Sequence, residues 1–271
     1  DGFITVEGEI YYEDGDTIRS NPAAGSTPTL ENSFYAPAYN AQVEICGITC
    51  GDTFIDADGK YSVTIAADVG TELTYKLKAN NSVLKIYSDM DCVNEWFEFS
   101  LQTNQIVPNI GPSFYGNTFF VDPIKIPNQN HTHTVGTCWG NEQTVHFSSS
   151  GHLNITSVMS IAFDDVMDNR DPSQVNESIA KVDVIYCDNE WPHITTTWSL
   201  FDVNNEIYFP CYMIDGSIPS QMLKWQHGQA VDAGLWDEVL VHEYYHQVQN
   251  QIHAWDIGGG PHNRCEPNSL D

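Results

Sequence analysis

Apolar and polar positions alternate with period two through the first hundred residues, the signature of half-buried strands. Ile4, Val6, Ile10 and Tyr12 share one parity, and Ala41, Val43 and Ile45 alternate with Gln42 and Glu44. Tyr61-Val63-Ile65, Leu73-Tyr75-Leu77 and Phe97-Phe99-Leu101 continue the pattern, with turn signals such as Asp14-Gly15-Asp16 and Asp56-Ala57-Asp58-Gly59 between them. Short strands at this spacing predict a β-sandwich. Residues 102–150, rich in Asn, Pro, Gly, Ser and Thr, read as a connecting region with some strand. From Asn154 the period changes. Ile155, Val158, Met159, Ala162, Val166 and Met167 recur at three and four, which predicts an amphipathic helix; Asp171-Pro172 stops it or opens another short one. Strands are expected at 182–186, 193–200 and 206–211, and a final helix at about 232–252.

Length and charge narrow the picture. At ~100–200 residues per domain, 271 residues predict two domains. The division falls at 1–125 for an all-β sandwich and 126–271 for an α+β domain. With 10 Lys and Arg against 37 Asp and Glu, the net charge is −27. Nucleic acid is thereby excluded as a main partner, since phosphate binding needs clustered cations. The acidity is shared by both halves and marks no binding face. No apolar run reaches the ~18 residues of a membrane span. With no Met-led signal segment at Asp1, the chain reads as soluble and already processed.

The seven cysteines contain no CxxC pair, so disulfides in an oxidising compartment are expected. Cys46 and Cys50 could close a tight hairpin, and Cys187 and Cys211 flank two strand-like runs. Sequons at Asn80, Asn130, Asn154 and Asn176 are candidate glycosylation sites and agree with a secreted or cell-surface chain. Asp56 and Asp58 are available calcium ligands, although the EF-hand pattern is absent and a hairpin turn explains them better. His131 and His133 share strand parity, which is compatible with a surface metal site or with a polar loop.

All ten histidines lie between His131 and His262. The expected final helix carries His242-Glu243-Tyr244-Tyr245-His246, an HExxH motif that chance would supply ~0.02 times in a chain of this composition. Residues i and i+4 sit ~40° apart on a helix, so both imidazoles can face one zinc ion. Glu243 is rotated ~100° from His242, where it suits a general base acting on water better than a ligand. The third ligand stays open. The HExxHxxGxxH pattern fails because Gln249 and Ile252 occupy its glycine and third histidine positions, and His253 lies ~10 Å further along the axis. Glu266 follows His246 by twenty residues, yet it precedes Pro267 in a loop-like run; His262, after Gly258-Gly259-Gly260, is a second candidate. His193, His227, His262 and Tyr245 are available types for a transition-state donor.

Two resemblances bear on these readings. Val6-Glu7-Gly8-Glu9-Ile10, Asn40 to Ile45 and Asp56 to Tyr61 together resemble the carboxypeptidase-regulatory-like, transthyretin-like sandwich. Residues 151–271 are similar to secreted gluzincin-like proteins. The likeness rests on Met159 to Asp168, Lys181 to Tyr186, Ile207 to Pro210, Val239 to Val248, Gly259 to His262 and Cys265 to Pro267. The second resemblance implies a zincin-like metallopeptidase domain acting on a peptide or protein substrate, with His242 and His246 on zinc and Glu243 as base. It also implies a third ligand Glu in a later helix of Ser-Glu-Gly-aromatic character, and Asp271 comes before any such helix, so this domain is expected to be incomplete at its C-terminal end. The competing expectation is a structural subunit of an extracellular filament or surface assembly. It would form a homo-oligomer through edge strands, starting with the strand that the N terminus enters. A sugar-binding module using Trp96 and Tyr87 is a third option.

Overall fold

The computed structural model describes residues 2–19, 29–87, 98–109, 114–136, 142–170, 181–186, 200–201 and 206–209. It also describes Ile179, Asp237, Leu240, Val241, Tyr244, Tyr245 and Val248. In chain order the strands begin with β1 (Gly2–Arg19), β2 (Thr29–Pro37), β3 (Gln42–Cys46), β4 (Cys50–Phe54), β5 (Lys60–Ala67) and β6 (Glu72–Lys78). They continue with β7 (Leu84–Tyr87), β8 (Glu98–Ile106), β9 (Phe114–Tyr115), β10 (Thr118–Phe120), β11 (Ile124–Ile126), β12 (Asn130–Gly136) and β13 (Glu142–Ser148). Helix α1 (Ser149–Asn169) follows, then β14 (Val182–Tyr186), β15 (Leu200–Phe201) and β16 (Glu206–Phe209). The result is a β-rich fold.

Strand β1 organises the first sheet. Its first half pairs antiparallel with β5, from Gly2↔Ala67 to Glu9↔Lys60, and its second half pairs with β2. Ile10 donates to Gly59 O and accepts from the Ala38 amide, so β5 and β2 follow one another along the same edge. The other edge takes β10 and β11 in parallel, at Thr5↔Thr118 and Ile10↔Ile124. The expectation that the N-terminal strand presents an open edge is corrected over Thr5–Glu7 and Ile10–Tyr12, where β1 is paired on both sides.

A second, antiparallel sheet runs β4-β3-β6-β8. The period-two reading holds residue by residue where side chains are described. Ile4, Val6, Ile10, Val43, Ile45, Val63, Ile65, Leu73, Tyr75 and Leu77 are all buried between the sheets. Each such side chain contributes ~1.5–3 kcal/mol relative to exposure. The turn from Asp56 to Gly59 forms because Asp56 Oδ1 accepts the amides of Asp58 (2.9 Å) and Lys60 (2.8 Å). Gly59 completes it at φ 86°, a left-handed conformation facing Ile10 O. Across the β3–β4 hairpin Cys46 and Cys50 are joined by a disulfide.

Residues 102–150 carry more strand than their composition suggests. β9, β10 and β11 are two or three residues long, too short to show a period, and β10 and β11 are held by main-chain pairing to β1. Helix α1 also starts earlier than expected, at Ser149. Its first turn is Ser-Ser-Gly-His, which carries no apolar signal; Ser149 Oγ instead accepts from the Gln129 amide and bonds Pro127 O, both at 3.1 Å.

A third sheet, β15-β16-β14-β7, crosses the expected 125/126 division, because β14 pairs in parallel with β7 from Val182↔Leu84 to Ile185↔Tyr87. One hydrophobic cluster correspondingly runs from Ile4 and Val43 through Leu84, Ile155 and Met159 to Val184, Leu240, Tyr244 and Val248.

Gly8 gives a direct test of the sandwich packing. It faces Tyr61 across the β1–β5 pair, and a Cβ there would lie 2.5 Å from Tyr61 Oη and 2.9 Å from Cζ. Tyr61 is buried and packs edge-on against Tyr75, with ring centroids 6.3 Å apart, so it has little room to retreat. Gly8→Val should lower stability by ~1–3 kcal/mol, read as a fall in the urea midpoint at constant slope. An unchanged midpoint would show that Tyr61 is free to move.

Candidate functional site

The first half of α1 is buried on every side, although it is largely polar. Ser149, Ser150, His152, Asn154, Thr156, Ser157 and Ser160 are each at most 3% exposed. Buried polar groups are costly unless they find partners, and the partners of Asn154, Ser157 and Ser160 tie the helix to elements far away in sequence. Thr156 Oγ1 donates to His152 O at 2.9 Å, within the helix. Ser157 Oγ reaches the carbonyls of Tyr39 (3.3 Å) and Pro37 (3.4 Å). Ser160 Oγ accepts from Asn40 Nδ2 (3.0 Å) and Asn81 Nδ2 (3.3 Å). Asn81 Oδ1 in turn accepts the amides of Val83 and Leu84, shaping the entry to β7.

Asn154 is the central member of this set. Its Oδ1 accepts Tyr12 Oη at 2.8 Å, and its Nδ2 donates to Asp237 Oδ1 at 2.7 Å. The side chain is fully buried, so the sequon at Asn154 is not a glycosylation site in this fold: a glycan would have to displace both bonds from the interior. Asn80 is half-buried and its Oδ1 accepts a hydrogen bond from Lys181 Nζ; Asn130 begins β12.

Of the expected C-terminal helix, Asp237, Leu240, Val241, Tyr244, Tyr245 and Val248 are described, and all are helical. Leu240, Tyr244 and Val248, at spacing four, form its buried stripe. Asp237 meets Asn154 at one end, and Tyr245 Oη donates to Asp165 Oδ2 at 2.8 Å at the other. His242, Glu243, His246, Glu266, His193, His227, His253, His262, Cys187, Cys211, Trp96 and Asn176 lie outside the described residues. His131 and His133 stand opposite Phe147 and Val145 in the β12–β13 pair. Among the described residues, no group of three His, Cys, Asp or Glu gathers as a metal site, and no helix is long and apolar enough to cross a membrane.

Sequence reasoning missed two connections, Tyr12–Asn154–Asp237 and Asp165–Tyr245. Their contacts join residues 142, 83 and 80 positions apart, which no local spacing announces.

Several tyrosines on these contacts hold their protons tightly. Burial, followed by the hydrogen bond to Asp164, pushes the Tyr39 phenol up to about 12. Burial also raises Tyr12 and Tyr244, and burial followed by the Asp165 bond raises Tyr245.

No family model matches the chain, and comparison with curated proteins gives no match. Among solved structures, the major plantain pollen allergen Pla l 1 is 17% identical with a TM-score of 0.24, over 46% of this chain and 94% of the allergen. A 9R-lipoxygenase from Cyanothece is 11% identical with a TM-score of 0.25, over 62% of this chain and 25% of the enzyme. Overlaps at this level assign neither fold nor function.

The raised phenols give a pH prediction with a definite sign. Unfolded tyrosines titrate near 10.0, whereas the native chain keeps these protons to higher pH. Their contribution is therefore complete below pH 10 and is lost as pH rises toward about 12. Urea midpoints should fall steadily above pH 10, and Tyr39→Phe should make that fall shallower. A flat profile would contradict the assignment.

Proposed function

We propose that the chain is a secreted or cell-surface zinc metallopeptidase-like protein of gluzincin type. In this reading the N-terminal strands form a transthyretin-like sandwich, and α1 with the β15-β16-β14-β7 sheet and the C-terminal helix forms a zincin-like α+β unit acting on a peptide or protein substrate. The observation that carries the reading is the helical state of the six described residues in and around His242-Glu243-Tyr244-Tyr245-His246, with one face buried against the core. At ~100° per residue, a helix with Leu240, Tyr244 and Val248 turned inward would carry His242 and His246 ~180° from that stripe, and Glu243 ~100° from it. Two histidines spaced four apart in a helical sequence, with a glutamate after the first, are a donor set that suits zinc.

His242 and His246 would hold the metal, with Glu266 or a carboxylate from beyond Asp271 as the third ligand. When bound, zinc supplies Lewis acidity that polarises the scissile carbonyl and makes water easier to deprotonate. Glu243 would accept the proton from the attacking water and return it to the leaving amine. The buried stripe would keep the helix fixed while substrate binds. The Cys46–Cys50 disulfide supports an oxidising, extracellular setting.

Metal analysis and peptide hydrolysis on the whole chain test this directly. About one zinc per chain is expected, lost in His242→Ala and His246→Ala. Glu243→Gln should keep the metal and lose ~10²–10⁴-fold in hydrolysis rate. Zinc-free chains that assemble into regular polymers and cleave nothing would instead support the surface-assembly role.

A further inference from the structure

The β3–β4 hairpin turns one side to β5 and the other to water. Its inner side packs without room to spare: a Cβ on Gly47 would lie 3.0 Å from Ala66 O and from Ala67 Cβ, and one on Gly51 2.9 Å from Val63 Cγ1. The tip is tied to the same strand. The amides of Ile48 (2.8 Å) and Thr49 (3.2 Å) donate to Ala66 O, and Thr49 Oγ1 accepts the Ala66 amide at 2.8 Å. The two strands pair from Gln42↔Phe54 to Cys46↔Cys50, and the far edge of β3 pairs with β6.

The Cys46–Cys50 disulfide takes no part in these contacts. Cys46 shares the parity of Gln42 and Glu44, opposite to the buried Val43 and Ile45, and its neighbour on β6 is the exposed Thr74. Neither cysteine belongs to the hydrophobic core. Cys50 is exposed and Cys46 half-buried. A cross-link between residues four apart closes a very short loop, and what a disulfide removes from the unfolded chain shrinks with loop length. Main-chain bonds already hold that loop at both ends and at its tip. The bond is thus neither core packing nor the main tether of the hairpin, and exposed disulfides are the ones that external thiolates reach.

We propose that Cys46–Cys50 is a reversible thiol-exchange site, at which a small external thiol becomes covalently attached to Cys50. The incoming thiolate attacks Cys50 Sγ, on the more exposed of the two residues. A new S–S bond forms as the Cys46–Cys50 bond breaks, and the electron pair leaves on Cys46 Sγ, which takes a proton from water. The external sulfur is oxidised and Cys46 is reduced. Because the hairpin keeps the two residues opposite one another, Cys46 can attack Cys50 Sγ in turn, expel the thiol and restore the loop. The site stands apart from the metallopeptidase reading above and does not depend on zinc.

Exchange of the whole chain with free cysteine, quenched with acid and located by peptide mass mapping, tests this site. In the folded chain the bond should open within ~10-fold of its rate in the urea-unfolded chain, at a rate unchanged by sub-denaturing urea, with the adduct on Cys50. A rate more than ~10³-fold below the unfolded one and climbing with low urea would place the bond behind an unfolding step and overturn the exchange role. An adduct confined to Cys46 would overturn it as well. When excess thiol is removed, the unaltered chain should shed its adduct, whereas Cys46→Ser, loaded with cystine, should keep it; retention in both would contradict reversibility. Cys46→Ser combined with Cys50→Ser should unfold cooperatively in urea with an unchanged slope. Loss of that transition would show that the disulfide holds the fold together rather than serving exchange.

Discussion

The need to satisfy polar groups withdrawn from water along α1 determines how the parts of this chain fit together. An apolar helix could settle against the sandwich in many orientations at similar free energy. One that buries serines and an asparagine whose partners lie on other elements has far fewer choices, because each orphaned group costs ~1–3 kcal/mol. Ser157 calls for the carbonyls before β3, Ser160 for Asn40 and Asn81, and Asn154 for a phenol from β1 and a carboxylate from the last helix. The hydrophobic cluster supplies most of the free energy, and the polar set selects the arrangement.

Much of the sandwich was legible in the sequence because its information is local. The parity of Ile4, Val6, Ile10 and Tyr12, or of Leu73, Tyr75 and Leu77, follows directly from one face of a strand meeting the core. The close spacing of Cys46 and Cys50 was equally direct, since a hairpin brings the two residues face to face. β10 and β11 were not legible, because three-residue strands held by main-chain bonds leave no mark in side-chain pattern. The start of α1 was hidden for the converse reason: its first turns are buried but polar, so burial and hydrophobicity part company there.

The candidate site divides along the same line. HExxH is readable because helical geometry turns a spacing of four into a shared face. The contacts that hold the segment are not, since Tyr12, Asn154 and Asp237 come from three distant stretches. Asn154 shows the hazard of a cheap motif. Its sequon suggested an exposed glycan acceptor, while the folded chain uses the same amide as an interior connector.

The parallel pairing of β7 with β14 has a consequence for how the molecule comes into being. Leu84 meets Val182 across a loop of roughly 100 residues, and closing such a loop carries an entropic cost that grows slowly with length but must be met before the contact gives anything back. While the polypeptide emerges from the ribosome, Leu84-Lys85-Ile86-Tyr87 therefore waits for its neighbour until residues 182–186 have been translated. During that interval the edge of β7 that β14 will cover is unpaired, and an unpaired strand edge is a template for mispairing.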